Sequence, residues 1–283
     1  MRLSILLFLV ASSFAQTVPA PIFTDPPADA AHPAKMAVLH IPSHGVSING
    51  LIYQPSGAGP HPTLIICHGL PGNEKNLDLA QAVRRGGWNA VTFNYRGSWG
   101  SPGVFRFAQT LEDAAAVLAW LRDPATAARL GIDTRRIAMA GHSMGGWVVA
   151  HTAAHDRGLI GVILISAWNA GRQSASHKDA VAAMAGNMES LAGVTPEAMA
   201  TELESNAKTF DLENAADGLT RPPLLALTAD DGLARDTDAL VKAIEVKGGQ
   251  KVKAIHVATD HSWSDRRIFL ESTVLTWLAA LGQ

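Results

Sequence analysis

Cysteine is almost missing from this sequence. Cys67 is the single one in 283 residues. No intramolecular disulfide can form, so the fold must rest on buried apolar surface. The residue ends Thr63-Leu64-Ile65-Ile66-Cys67, a strand-like run that reads as a buried thiol rather than a reactive one. Charge is also scarce, at 17% of residues with a formal net charge of −2, and Lys and Arg nowhere gather into a run. That excludes the electrostatic footprint of a nucleic-acid or acidic-membrane binder. There are no internal repeats and no low-complexity tract beyond one proline-rich stretch. The N-terminal apolar run, Leu3 to Val10, falls well short of the ~20 residues that span a bilayer.

Hydrophobic residues, by contrast, make up 47% of the chain. With this length they suit one large α/β domain, or one domain with an insertion. Arg2, the short apolar run and the small residues Ser13 and Ala15 read as a signal peptide over residues 1–15, cleaved after Ala15. The expectation is a secreted or periplasmic protein. Residues 16–35 carry Pro19, Pro21, Pro26, Pro27 and Pro33 and read as a linker. From Met36 to the C-terminus the pattern becomes regular. Met36 to Ile41 and Val46 to Tyr53 read as a hairpin around Ser43-His44-Gly45. Strands at Leu64–Cys67, Ala90–Phe93, Ile137–Ala140, Leu159–Ile165, Pro222–Thr228 and Val252–Val257 then alternate with helices. Those helices are read at Leu77–Arg85, from Thr110, at Met144–His155, at Asp238–Val246 and from about Ser264. Thr110-Leu111-Glu112-Asp113 has the form of a capping box. Such alternation predicts a mostly parallel central sheet with helices on both faces and ligands beyond the carboxyl ends of the strands.

Between about residues 168 and 221 the alternation breaks. Val181, Met184, Met188 and Leu191 share a helical spacing, and Thr195-Pro196-Glu197 starts another helix. This predicts a small helical cap insertion able to roof a site, with ordinary crossover helices as the alternative.

The chemistry centres on Gly141-His142-Ser143-Met144-Gly145, which fits G-x-S-x-G. A serine becomes a nucleophile only where a base can reach it. A sharp strand-to-helix turn pushes the side chain out of the sheet edge, and glycines two before and two after relieve the crowding. The base candidate is His261, after the last strand. Its orienting acid is Asp230, after the preceding strand; Asp231 is the close competitor, and Asp260 would need a tight loop. Oxyanion donors are the backbone N–H of Met144 and that of Leu70 in His68-Gly69-Leu70-Pro71-Gly72. Pro71 has none to give. His151 and His155, at i and i+4, lack a third metal ligand in sequence and read as a solvent-facing pair. His142 is expected to point away from the nucleophile's side. Trp99, Phe105, Phe107, Trp147 and Trp168 are candidates for a pocket lining or for plain core.

Together His68-Gly69, the elbow, Asp230 and His261 resemble the α/β-hydrolase superfamily, in its order of Ser, Asp, His. Asn94-Tyr95-Arg96-Gly97-Ser98-Trp99-Gly100-Ser101-Pro102-Gly103 is similar to the superfamily's Arg-Gly-x-Gly-x-Ser turn, with Ser98-Trp99 filling the usual single place. Asp260-His261-Ser262-Trp263-Ser264 resembles the histidine loop of esterases and dienelactone-hydrolase-like members. The resemblance implies a serine hydrolase, foremost a carboxylesterase acting on a small-molecule ester through an acyl-enzyme, with no cofactor and no metal. A small peptidase or amidase resembling the prolyl-oligopeptidase branch is the alternative. A catalytically silent binding protein is the third reading.

Overall fold

The computed structural model describes residues 18–172 and 174–281. The expected signal peptide lies outside the described residues. Eight strands form one sheet in the order β1-β2-β4-β3-β5-β6-β7-β8. β1 (Lys35–Ser43) and β2 (Val46–Gln54) pair antiparallel, and Ser43 faces Val46 across the turn His44-Gly45. Both turn residues have positive φ, 43° and 85°, as a two-residue hairpin turn requires. β2 runs antiparallel to β4 (Asn89–Phe93). The remaining strands are parallel: β3 (His61–Cys67), β5 (Ile132–His142), β6 (Leu159–Ile165), β7 (Leu224–Ala229) and β8 (Val252–Val257).

The central parallel strands are buried on both faces over Leu64–Cys67, 137–140, 162–165 and 224–227, so these stretches are apolar throughout and sort by parity, whereas β8 at the sheet edge carries exposed Lys253 and His256. Ile65, Cys67, Met139, Val162 and Leu164 pack on one side, against α2 (Phe107–Arg122) and α4 (Met144–His155). Leu64, Ile66, Ala138, Ala140, Ile163 and Ile165 pack on the other, with α1 (Leu77–Arg85) and α10 (Arg267–Leu281). Each Leu or Ile so buried stabilises the fold by roughly 1.5–3 kcal/mol relative to exposure. α4 is apolar almost all round because it lies between the sheet and the segment that follows β6.

Two sequence expectations change here. α2 begins one turn before Thr110, at Phe107, whose ring is fully buried. Thr110 is an interior residue bonding to Phe107 O, and Asp113 is no cap partner. Asp113 is fully buried and accepts from Ser43 Oγ (2.5 Å), Arg96 N (2.8 Å) and Arg96 Nε (2.7 Å). It ties the hairpin and the Arg96 turn to α2. After α2, Pro124 opens α3 (Pro124–Leu130), capped by Asp123.

Between β6 and β7 the chain forms α5 (His177–Ala185), α6 (Pro196–Ser205), α7 (Ala207–Phe210) and α8 (Ala216–Leu219). Thr195 caps α6 as its sequence predicts. α5 stops at Gly186, so Met188 and Leu191 do not continue its face. The stretch after α5 instead lies along the Arg96 turn: Trp99 N donates to Ser190 O, Ala192 N to Gly97 O and Phe105 N to Ala192 O. α9 (Ala234–Val246) follows β7 and makes the crossover to β8. The proline-rich segment is tied down through Arg85, which donates to Pro21 O and Ile22 O.

Candidate active site

Ser143 occupies the one-residue gap between β5 and α4, with φ 58° and ψ −122°. A non-glycine residue in that region is strained and persists only where its surroundings over-determine it. Three backbone bonds do so here: Ser143 N donates to Ile165 O (3.0 Å), while Ser143 O accepts from Gly146 N (2.9 Å) and Trp168 N (3.0 Å). The glycines are required by close approach. A Cβ on Gly141 would lie 2.0 Å from Gly145 O, and one on Gly145 would lie 2.1 Å from Cys67 O. Gly69, in the loop after β3, lies against Ser143, where a Cβ would come 2.9 Å from Ser143 Cβ.

Ser143, His142, His261 and Ser262 line one cleft of about 190 Å³ with the loop Gly69 to Glu74. His261 Nδ1 is 2.8 Å from Asp231 Oδ2. The Asp231 side chain is 2% exposed and also accepts from Leu233 N (2.9 Å) through Oδ1. Burial works against its ionisation, but the hydrogen bonds from His261, Leu233 N–H and Ser166 outweigh that and hold its carboxyl below the ordinary value. An ionised carboxylate only accepts, so His261 Nδ1 carries the proton and Nε2 keeps a lone pair.

Asp231 thus stands where the sequence reading put Asp230. Asp230 points to the sheet edge, and its Oδ1 meets His256 Nε2 at 3.0 Å in a largely exposed pair. Successive residues leaving a strand face opposite sides, and only the second one faces the His261 loop. Asp260 accepts from Ser264 N (2.8 Å), within its own turn.

His142 also departs from expectation. Its Nε2 donates to His261 O (2.8 Å), and the two rings lie 4.7 Å apart at 42°. Burial pushes its pKa down to about 4, so it is a neutral ring against His261. No spacing rule signals this contact across 119 residues. His151 does not face solvent: it packs on Trp147 at 5.3 Å, and burial lowers its pKa to about 4. His155 alone of that pair is exposed.

Met144 is the first residue of α4, where helical N–H groups have no intrahelical acceptor. The Leu70 N–H likewise has no backbone acceptor among the described residues. Of the aromatic candidates, Phe105, Phe107 and Trp147 are buried core, and Trp147 Nε1 donates to Phe210 O (2.7 Å). Trp168 and Trp99 are part-buried and do not line the Ser143 cleft. Trp99 Nε1 donates to Pro71 O (2.6 Å), which also accepts from Ser190 Oγ (2.9 Å).

A mostly parallel sheet with a serine on the strand-to-helix elbow and an acid–histidine pair at the same edge defines an α/β-hydrolase. Among solved structures, the fold is shared with a thermostable carboxylesterase cloned from a metagenomic library. The two are 22% identical with a TM-score of 0.67, over 89% of this chain and 91% of that one. It is also shared with the acylaminoacyl peptidase of Pyrococcus horikoshii, at 15% identity and TM-score 0.64, over 87% of this chain and 41% of that one. Residues 44–280 match the family model of X-Pro dipeptidyl-peptidases (S15 family), and the chain belongs to that family. An uncharacterized 31.7 kDa protein of the traX-finO intergenic region of Escherichia coli is 33% identical over 123 residues. That match covers 42% of this chain and 41% of the relative, so it spans about two fifths of each.

Proposed function

We propose that this protein is a serine hydrolase cleaving a carboxylic ester through an acyl-enzyme. The reading rests on one observation above all. A strained elbow serine shares a cleft with a histidine whose far nitrogen is bonded to a buried, ionised aspartate. Ser143 Oγ attacks the ester carbonyl and His261 Nε2 takes its proton. The oxyanion is held by the N–H groups of Leu70 and Met144; one such donor is worth ~3–4 kcal/mol in the transition state. His261 then protonates the leaving alkoxide, and the acyl group stays on Ser143. Water attacks that ester, giving one proton to His261 and releasing the acid, and the proton returns to Ser143. Asp231 holds the imidazole in the tautomer this sequence needs.

The family match favours a second reading, cleavage of a peptide amide near its amino end. Such a substrate presents an ammonium group that a carboxylate must receive. The only acid lining the described cleft is Glu74, whose Oε1 already accepts from Asn76 N (2.5 Å) with Arg267 4.0 Å away. That engagement supports the ester. The test is hydrolysis of short and long acyl p-nitrophenyl esters beside X-Pro amides, with a fluorophosphonate mapped by peptide mass. The expected result is ester turnover and label on Ser143. Label elsewhere, or amide turnover exceeding ester turnover, would overturn the assignment. Export is part of the proposal: native mature protein should begin at or near Gln16.

A further inference from the structure

A second cavity, of about 270 Å³, is lined by His68 and Lys75, which flank the loop Gly69 to Glu74, and shares no lining residue with the Ser143 cleft. That volume is near the lower end for small-ligand pockets. Its apolar lining runs from Leu51, Ile66 and Phe93 inside to Val38 and Leu77 at the mouth, and Asn49, Thr92 and Asn94 line it beside His68 and Lys75. Val38 is 61% exposed and Leu77 40%, so an apolar rim opens to solvent.

Two polar groups in this cavity are incompletely satisfied, and their needs differ. Lys75 is half-buried, and burial lowers its pKa. Its Nζ donates to Asn94 Oδ1 (3.0 Å) and sits 4.1 Å over the Trp99 ring, but it has no carboxylate partner among the described residues. A partly desolvated ammonium without a carboxylate partner favours an anion beside it. His68 is the second group, 3% exposed. Its Nδ1 is 2.8 Å from Gly69 O, a carbonyl that can only accept, so Nδ1 bears the hydrogen. Its Nε2 is therefore an acceptor, and it is buried without a partner. It calls for a donor, such as a hydroxyl.

We infer that this cavity is a binding site for a small hydroxy acid, its carboxylate on Lys75, its hydroxyl on His68 and its short alkyl chain on Leu51, Ile66 and Phe93. The site is separate from the Ser143 cleft and requires no turnover. Its two polar residues bracket residues 69–74, so an occupant would brace both ends of the loop that lines the Ser143 cleft.

Calorimetric titration of the full protein with 3-hydroxyhexanoate, hexanoate, hexanol and hexylamine tests the inference. The expected order is hydroxy acid tightest, hexanoate several-fold weaker, and hexanol and hexylamine at least tenfold weaker. Lys75→Met should weaken the hydroxy acid by tenfold or more while Lys75→Arg keeps it within a few-fold, and Leu51→Phe should weaken it by narrowing the cavity. Because Lys75 lies over Trp99, binding should change tryptophan emission in the wild type and not in Trp99→Phe. Each variant is first checked for an unchanged circular dichroism spectrum. Ser143→Ala should bind as the wild type does, which separates this site from the proposed catalytic one. Equal affinity for hexanol and the acids, or undiminished binding by a folded Lys75→Met protein, would overturn the inference.

Discussion

Replacing Asp231 by asparagine removes a charge and one acceptor while keeping shape. Asp231 Oδ1 takes the Leu233 N–H (2.9 Å) and Oδ2 takes His261 Nδ1–H (2.8 Å). An amide in that place satisfies Leu233 with its oxygen and presents NH₂ to His261. The ring must then accept at Nδ1, which moves its proton to Nε2, towards the cleft. It can no longer take a proton from Ser143. In a well-studied serine protease the corresponding change lowers kcat by about 10⁴, equivalent to ~5.5 kcal/mol; a loss of that order is expected here. Asp230→Asn disturbs only a side chain 63% exposed and paired with His256, a contact worth ~0–1 kcal/mol, so activity should fall less than about fivefold. Kinetics on a p-nitrophenyl ester, with circular dichroism confirming the fold, separates the two. Stability offers a second readout with a defined sign. The Asp231 carboxyl titrates below its ordinary value when folded. Its contribution is present above the unfolded-state pKa and is lost as pH falls through the folded one. The thermal cost of Asp231→Asn should therefore be largest near neutral pH and shrink in acid. A larger kinetic loss for Asp230→Asn than for Asp231→Asn would refute the reasoning.

Three other perturbations have definite outcomes. Ser143→Ala should abolish turnover and leave the melting temperature unchanged or slightly raised, because the residue is strained and its hydroxyl packs little; retained activity would remove it from the mechanism. Gly141→Ala drives a methyl onto backbone at 2.0 Å and should cost at least the ~1–3 kcal/mol typical of overpacking, together with activity; a denaturant melt unchanged from wild type would contradict the elbow geometry. Burial, with the neighbouring Asp78 charge adding to it, raises the Glu271 pKa to about 7. Raised in the folded state, that group's contribution is full below ~4.3 and declines as pH rises through about 7, so Glu271→Gln should gain stability relative to wild type between pH 5 and 8; a pH-independent difference would sink this.

The sheet and the nucleophile were legible because their signals are local. Parity along β3 and β5, and two glycines flanking Ser143, state their structural reasons within a few residues. What was not legible depends on direction or on distant partners. Asp230 and Asp231 have the same composition and follow the same strand; only the path of the chain into Gly232, at φ 81°, decides which one faces His261. Thr110 to Asp113 imitates a capping box, yet Asp113 belongs to Arg96 and Ser43, and the Phe107 ring, by burying itself, starts the helix earlier. The periodicity from Val181 to Leu191 ran through Gly186, where α5 ends. His142 could not be assigned because its partner is the His261 carbonyl, on a loop far along the chain.

The carbonyl of Pro71 receives the indole of Trp99 and the hydroxyl of Ser190 at once. One oxygen is therefore a shared fastening for three stretches of chain: the loop after β3, the Arg96 turn, and the strip after α5. For anyone recombining parts of such proteins this sets a rule of compatibility. A foreign insertion between β6 and β7 that brings no hydroxyl to this oxygen loosens the segment carrying Leu70, and turnover should suffer even where the transplanted helices never meet the substrate. A graft that carries its own donor to Pro71 should keep the segment holding Leu70 in place.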